Sequence, residues 1–347
     1  MREYHYRFVT EKGYAMFILG LTLRTILICL LAAILLGIRN LAWSQVHQMG
    51  EMNKHEFQAL DRNRTAVLMP IGVIEEHGPY LPLLTDSYMM EWLVDRIAEA
   101  IVAQEGWTVV IMPSLPIGAG APEDFGPRTR EFGSLPLRPA TKRAVLMDFV
   151  SGLGEAGFRL IFAVDGHGPF INKRVTDEAS EYFEDIHGGT MLNLIGVIHP
   201  DPPAIVRPLS DLEKKEDGLA VHAGLSETSR MIYVRPDLID SGYKNAPAVT
   251  ANDWADYEVL PNEKDWPGYF GSPRLARADI GADRMEAWAR NASDLAVRII
   301  GGLKHRPLPR VADGDNPAIK RLDGLIIERS AHIAEQQLDW MRANGIQ

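Results

Sequence analysis

Two short polar segments contain the residue types in this chain that could perform chemistry. The first runs from Glu75 to Asp86, and the second is the turn Asp165-Gly166-His167-Gly168. Each follows an apolar run that predicts a buried strand, and ligands gather beyond the carboxyl ends of strands in an open parallel sheet. Carboxylates and imidazoles are the ligands that zinc and manganese take in proteins. The spacing therefore predicts a metal site formed by four side chains: Glu75, His77, Asp86 and His167.

The first segment also has a purely structural interpretation. Gly78 and the two prolines that follow it exclude a helix between His77 and Asp86. These residues therefore cannot share a helical face. They could instead form a polar surface loop, with Asp86 as the N-cap of the next helix.

The other polar junctions have structural interpretations too. Asp165 could bond the backbone of its own turn. A third junction, from His222 to Ser229, could be a helix start capped by Ser226. Histidine occurs only ten times in the chain but stands beside acid and glycine at all three junctions, so the combination favours chemistry.

Taken together, the three segments resemble the creatininase (creatinine amidohydrolase) family. The matching pattern is Glu-x-His-Gly-Pro-x-Leu-Pro-Leu-x-x-Asp, then Gly-His-Gly, then His-Ala-Gly-x-x-Glu-Thr-Ser, within about residues 50–276. The resemblance implies an α/β fold, a three-layer α/β/α sandwich with a mostly parallel central sheet, and assembly as a homo-oligomer, commonly a hexamer. It also implies two divalent metal ions, zinc with a second zinc, manganese or iron, and hydrolysis of C–N bonds in cyclic or formyl amides.

The resemblance assigns roles by position. It makes Glu75, His77, Asp86 and His167 metal ligands, with Asp86 bridging two ions. It makes His222 and Glu227 catalytic residues: His222 as a proton shuttle, and Glu227 as an acid/base group or a further metal ligand. The implied reaction is attack of a metal-activated hydroxide on the carbonyl of a small-molecule amide.

Two departures from the family pattern concern the substrate. Members that cleave creatinine have a metal-binding glutamate two residues after the second-motif histidine, where this chain has Pro169. They also have a tryptophan four residues before the third-motif histidine, where this chain has Gly218. Creatinine is therefore not the expected substrate, and Glu227 or Asp124 could complete the second metal site. The same departures allow an alternative, a non-catalytic metal-dependent periplasmic binding protein on this fold.

The N-terminal 44 residues differ in composition from the rest of the chain. Basic residues precede a run of 14 residues from Thr25 to Ile38, and Ala42-Trp43-Ser44 follows. This layout predicts a secretory signal peptide over residues 1–44 and an exported, periplasmic or secreted protein. The alternative is an inner-membrane anchor spanning residues 15–38, which would bury Arg24 at a cost in free energy.

The bulk composition is that of a soluble globular protein, with 46% hydrophobic and 24% charged residues. Residues 1–44 contain five of the 36 basic and two of the 46 acidic residues, so the remainder has 31 basic and 44 acidic residues and a net charge of −13. Such a surface repels nucleic acid. The single cysteine, Cys29, lies in the N-terminal run, which excludes disulfides and thiolate ligands from the remainder.

Apolar runs alternate with helical periodicity after Gln45, which predicts a mostly parallel sheet between helical layers. We expect one metal-dependent domain over residues 45–304, then a linker and C-terminal helix over 305–347. The aromatic segment from Trp254 to Phe270 has no period, and it could line a ligand pocket or form an oligomer contact. The predicted strands are 65–74, 109–115, 160–164 and 191–198, and the later helices are 171–186, 282–303 and 317–344.

Overall fold

The structure, a computed structural model, describes residues 45–125, 133–203 and 206–346. Within these ranges no helix is long and apolar enough to cross a membrane. The predicted signal peptide or anchor in residues 1–44 lies outside the described residues, so both interpretations stay predictions.

A five-stranded, wholly parallel sheet forms the centre of the fold, with strand order β1-β3-β2-β4-β5. All seven residues of β2 and all six of β4 are buried, as expected for strands covered on both faces. The strand bounds are β1 Val46–Gln48, β2 Thr65–Ile71, β3 Thr108–Ile111, β4 Leu160–Asp165 and β5 Thr190–Asn193.

The sequence prediction placed the ends of three strands too late. It extended β2 to Ile74, β3 to Leu115 and β5 to Ile198, whereas ladder pairing ends at Ile71, Ile111 and Asn193. After β2, the apolar run continues past the pairing because the next residues remain buried; Val73, for example, is inaccessible to solvent. Apolar character therefore indicates burial there but not strand pairing.

Helices cover both faces of the sheet, which confirms the three-layer α/β/α sandwich. Alternate residues of β2 point to opposite faces; Val67, Met69 and Ile71 pack against α3 and α4. On the other face, α2 contacts the central strands, and α8 packs against α2 and α6. The helix bounds are α1 Lys54–Ala59, α2 Thr85–Val102, α3 Pro139–Glu155, α4 Phe170–His187, α5 Asp211–Asp217, α6 Leu225–Val234, α7 Asp256–Val259, α8 Ala278–Ile300 and α9 Pro317–Ala343.

The strand order creates a crevice at one edge of the sheet. The chain leaves β2 toward β3 on one side, and β4 joins β2 on the other side. The loops that follow β2 and β4 therefore diverge at their carboxyl ends, where parallel sheets of this kind bind ligands. The first two polar segments of the sequence lie in these loops.

Three structural interpretations of the polar segments are wrong. The N-cap of α2 is Leu84, so Asp86 lies inside the first turn. The N-cap of α6 is Gly224 rather than Ser226. Asp165 does not bond its own turn but contacts Lys142, Asn172 and Thr176.

The aromatic segment between α6 and α8 is irregular, as predicted, but it is packed. Tyr257, Trp266 and Phe270 are buried and form a cluster with Leu322 from α9. The rings of Tyr257 and Phe270 stack with centroids 3.9 Å apart. The C-terminal helix is thus held against the body of the protein through this segment.

Candidate metal centre

The predicted ligands meet at the carboxyl edge of the sheet. Glu75 and His77 come from the loop after β2, Asp86 from the first turn of α2, and His167 from the loop after β4. All four are at least 96% buried. Their ligand atoms form overlapping groups, each within 4.8 Å, that also include His222 and Glu227: Glu75–His77–His222, Glu75–Asp86–His167 and His77–Asp86–Glu227.

Backbone carbonyls fix the orientation of all three imidazoles. Nδ1 of His77 lies 2.9 Å from the carbonyl oxygen of Glu75, and Nε2 of His222 lies 2.7 Å from that of Glu76. Nε2 of His167 lies 2.7 Å from the carbonyl oxygen of Gly120. Because a carbonyl can only accept, each of these nitrogens carries the proton. When such a ring is neutral, its other nitrogen has a lone pair available to a metal, which is the arrangement that orients ligating histidines in proteins.

Those second nitrogens face carboxylate oxygens. Nδ1 of His167 is 3.0 Å from Oδ2 of Asp86 and 3.4 Å from Oε2 of Glu75. Nε2 of His77 is 3.6 Å from Oε2 of Glu75 and 3.7 Å from Oε2 of Glu227. With bonds of 2.0–2.1 Å, neighbouring ligand atoms of a tetrahedral zinc site are about 3.4 Å apart. The cluster therefore has the spacing of a first coordination shell.

The buried carboxylates have opposite pKa shifts. Burial raises the pKa of Glu75 well above its usual value, and the nearby Asp86 and Glu123 carboxylates raise it further. Burial would also raise the pKa of Asp86, but in the metal-free site a proton on His167 Nδ1, which adds a hydrogen bond and a positive charge, outweighs burial and lowers that pKa to about 2. Burial raises the pKa of Glu227, although His77 acts against the shift.

The site chemistry fits divalent cations. Among the described residues, no lysine or arginine nitrogen lies within 4.0 Å of the Glu75, Asp86 or Glu227 carboxylates, so the basic side chains that face them are imidazoles. Lone pairs that face carboxylates in a buried site repel unless a proton or cation lies between them. Two cations, with Asp86 shared, would satisfy all the groups at once.

Glu227 is held in the cluster by an unusual backbone conformation. Its Oε2 accepts a 2.6 Å hydrogen bond from the N–H of Ala223. Ala223 has φ +53°, the single positive φ at a non-glycine position among the described residues. A left-handed alanine is strained and persists where its surroundings impose it. The strain is consistent with Glu227 having a functional position.

Glu227 and Asp124 were the two residues expected to complete the second metal site, and the structure places them differently. Glu227 lies in the cluster, whereas Asp124 is outside the three groups and faces Arg329 at 3.1 Å. Pro169, which replaces the family's glutamate, is the N-cap of α4 and lines the adjacent cavity. The ligand roles themselves stay predictions.

A fully buried polar network, which the sequence did not reveal, supports the His167 loop from behind. Nζ of Lys142 donates to Asp165 Oδ2 at 2.6 Å and to Asn172 Oδ1 at 2.5 Å. The same Asn172 oxygen accepts from the N–H of Ala119 at 2.9 Å. The next residue, Gly120, accepts from His167, so the network fixes the carbonyl that orients a candidate ligand. Only tertiary structure brings Lys142 to this loop.

A cavity of about 430 Å³ opens from the cluster. Trp254 and Tyr257 of the aromatic segment line it. Whether the segment lines a ligand pocket or forms an oligomer contact stays a prediction. Helix α9 forms another wall with Ile319, Leu322, Asp323 and Ile326. Asp323 Oδ1 accepts from the N–H of Ile171 at 3.1 Å. The sequence prediction had treated this helix only as a tail.

The fold and the cluster define an α/β/α protein with a candidate divalent metal centre at the carboxyl edge of a parallel sheet. The family model for creatininase, described as creatinine amidohydrolase, matches residues 50–296. The chain belongs to the creatininase family, as the three motifs indicated. The match ends before α9 begins.

Similar proteins include two with described activities. The chain is 25% identical over 263 residues to a creatinine amidohydrolase of Pseudomonas putida, covering 72% of this chain and 95% of that protein. It is 26% identical over 249 residues to a mycofactocin precursor peptide peptidase of Mycolicibacterium smegmatis, covering 66% of this chain and 87% of that protein.

Solved creatininase structures share the fold. A crystal structure of creatinine amidohydrolase superposes with a TM-score of 0.57 at 21% identity, covering 75% of this chain and 99% of that chain. A manganese form of creatininase gives a TM-score of 0.56 at 22% identity, covering 75% and 99% of the two chains. A Zn-Zn type mutant creatininase gives 0.54 at 21% identity, covering 74% and 98%.

Proposed function

We propose that this protein is a metal-dependent amidohydrolase that cleaves the C–N bond of a small-molecule amide other than creatinine. The observation that carries the proposal is the set of three imidazoles whose second nitrogens converge with the buried carboxylates of Glu75 and Asp86 and the half-buried carboxylate of Glu227. Two relatives support the reaction class, because creatinine amidohydrolase and a peptide peptidase both hydrolyse C–N bonds.

Two cations would divide the ligands between them. Glu75, Asp86 and His167 would hold one ion, and His77, Asp86 and Glu227 the other, with zinc in one site and zinc, manganese or iron in the second. Bound divalent ions supply a water of lowered pKa and polarise the substrate carbonyl. The manganese and Zn-Zn neighbours support this choice of metals.

The protein's own groups would do the remaining work. The carboxylates offset the charge of the cations and leave a net positive site that favours a developing oxyanion. His222 donates Nε2–H to the Glu76 carbonyl, and its Nδ1 is 3.9 Å from Glu75 Oε2, so Nδ1 can exchange a proton inside the site. Burial and His77 lower the pKa of His222, which favours the neutral ring as the resting form.

The walls of the cavity support a substrate other than creatinine. Pro169 offers no ligand atom, and Gly218 has no side chain to close over a small ring. Helix α9, outside the matched family region, contributes apolar side chains instead. These features favour a larger amide with an apolar part.

The test combines metal analysis with an amide and lactam hydrolysis panel. We expect about two divalent ions per chain in the purified protein. Asp86→Asn should lose both ions and all turnover, because Asp86 belongs to both groups, whereas Glu227→Gln should lose one. His199→Ala is the control, since His199 pairs with Asp294 away from the cluster. Turnover retained by Asp86→Asn would refute the mechanism.

One alternative keeps the same site. The loss of the glutamate at position 169 favours a non-catalytic, metal-dependent binding protein. Two bound ions with no hydrolysis of any amide or lactam would favour the binder, whereas turnover would exclude it.

We also propose export and assembly as testable properties. The basic and apolar composition of residues 1–44 supports a cleaved signal peptide, and the inner-membrane anchor is the alternative. N-terminal sequencing of the protein recovered from cell fractions distinguishes them. Sedimentation analysis tests the homo-oligomer that the family resemblance implies.

A further inference from the structure

One arginine of the cavity has no acidic partner among the described residues. Arg230 lies one helical turn after Glu227 on α6, and both residues line the cavity. The Arg230 Nε atom is buried and makes no hydrogen bond. Among the described residues, no carboxylate oxygen lies within 4.0 Å of its guanidinium. Other arginines of the protein do have acidic partners: Arg143 pairs with Glu178 and Arg274 with Glu216.

The guanidinium of Arg230 is nevertheless held in place. Its central carbon lies 4.2 Å from the ring centroid of Trp288 on α8. An arginine over a tryptophan face gains cation–π attraction and keeps the edge of its planar fork available for hydrogen bonds. Trp288 also lines the cavity, so the stacked pair is part of the wall.

Nearby groups do not replace a direct partner. Glu227 is the acid that acts most strongly on Arg230 electrostatically, but its Oε2 is bonded to Ala223 and faces His77. Burial lowers the pKa of Arg230, although a guanidinium still stays charged at neutral pH. Arg230 as a whole is half-buried, and a charge withdrawn even partly from water costs free energy unless a partner neutralises it. A negatively charged ligand in the cavity would supply a partner for the Arg230 guanidinium.

We propose that Arg230, stacked on Trp288, binds a carboxylate of the substrate, which makes the substrate an amide that carries a free carboxylate, such as an N-acyl amino acid. This inference rests on the proposed function. A planar carboxylate matches the guanidinium fork through two parallel hydrogen bonds. The 430 Å³ cavity lies within the range of small-molecule sites, and its aromatic and aliphatic walls suit the rest of such a substrate.

The test uses two probes that differ by one methyl group and one negative charge. Succinic acid monohydroxamate has a metal-binding hydroxamate and a free carboxylate, and its methyl ester lacks the charge. Titration calorimetry on the zinc-loaded full chain should show the acid binding about 10- to 100-fold more tightly than the ester, the range for a hydrogen bond to a charged group. Arg230→Met should bring this ratio close to one, and Arg230→Lys should keep part of it.

Arg284→Met is the matched control. Arg284 also has a buried Nε without a hydrogen bond, but it does not line the cavity. We expect Arg284→Met to keep the preference for the acid. Metal content and thermal unfolding of each variant separate a lost contact from a misfolded site.

The possible results separate this inference from the hydrolase proposal. Equal binding of acid and ester by the unmodified protein overturns the role of Arg230, and so does a preference that survives in Arg230→Met. A preference that depends on Arg230 supports it even if no amide is hydrolysed, and in that case only the hydrolase proposal fails. If the protein hydrolyses neutral amides and shows no preference for the acid over the ester, the hydrolase proposal stands and the role of Arg230 fails.

Discussion

Replacing Lys142 with methionine should destabilise the protein by about 3–5 kcal/mol, the cost of removing one partner from a buried ion pair. Lys142 and Asp165 are both inaccessible to solvent, and their charged atoms are 2.6 Å apart. Methionine matches the lysine side chain as far as Cε, so little packing is lost. Asp165 would keep its hydrogen bonds from Thr176 and Asn172 but would lose its cation. That cost is a large fraction of the 5–15 kcal/mol that stabilises a typical domain.

The double variant Lys142→Met/Asp165→Asn tests the reason for that cost. Asparagine removes the uncompensated charge and can still bond Thr176 and Asn172. We therefore expect the double variant to be more stable than Lys142→Met alone. If the free-energy costs of Lys142→Met and Asp165→Asn simply add in the double variant, the lost charge compensation is not the cause, because interacting sites should be non-additive.

Chemical denaturation of metal-free protein, followed by circular dichroism, measures these differences. Arg143→Met is the control on the adjacent residue. Arg143 pairs with Glu178, but both side chains are 36% exposed, so its loss should cost about 0–1 kcal/mol. A Lys142→Met effect no larger than that of Arg143→Met would refute the reasoning.

The same substitution should weaken metal binding without touching a ligand. Lys142 holds Asn172, which holds Ala119 beside the Gly120 carbonyl that orients His167. Loss of groups that orient ligands typically lowers metal affinity by about 10–100-fold. Zinc titration of folded Lys142→Met against a competing chelator measures this shift. Unchanged affinity would show that the network stabilises the fold but does not position His167.

Two further predictions concern the wall of the cavity and the pH dependence of stability. Ile326→Ala should lower the free energy of unfolding in denaturant by about 2–4 kcal/mol, because Ile326 is buried against Gly120. Ile327 on the same helix is 50% exposed, so Ile327→Ala should cost under about 0.5 kcal/mol. Equal effects of the two changes would mean that α9 does not pack as described. Burial raises the pKa of Asp177 in the folded protein to about 6, although Arg310 acts against the shift. The folded protein therefore holds this proton more tightly than the unfolded chain does, and the stability that the proton contributes is lost as pH rises through 6. Asp177→Asn should therefore stabilise by about 2 kcal/mol at pH 8 and by much less at pH 4.5 in denaturant titrations, and a gain independent of pH would contradict this.

The elements that position the site could be predicted because their signals are local. Apolar runs followed by glycine, proline and acid identified the ends of β2 and β4, and parallel topology brings those ends together. The helix predicted over 171–186 is Phe170–His187, and the one over 317–344 is Pro317–Ala343. The helix predicted over 282–303 begins four residues earlier, at Ala278, because its first turn has no apolar period.

Interactions between distant segments could not be predicted in the same way. Asp165 and Lys142 are 23 residues apart, and nothing in the composition of α3 distinguishes Lys142 from an exposed lysine. The sequence therefore suggested a local turn for Asp165, whereas the fold supplies a charge partner. Arg230 is a similar case: its position one turn after Glu227 indicates a shared face, but only the packing of α8 brings Trp288 beneath it.

The two ends of the cavity thus bear on different properties, the class of reaction and the choice of substrate. The candidate metal end consists of residues within the matched family region. In the proposed reaction, its convergent nitrogens and carboxylates would determine which bond is attacked. The walls include Arg230 beside Trp288 and the apolar face of α9. Helix α9 lies beyond the residues that the family model matches. Family membership therefore supports the class of reaction, while the choice of substrate depends on groups that only the folded chain brings together. Exchange of wall residues should accordingly change binding of charged probes while leaving metal content intact, whereas exchange of Asp86 should abolish both.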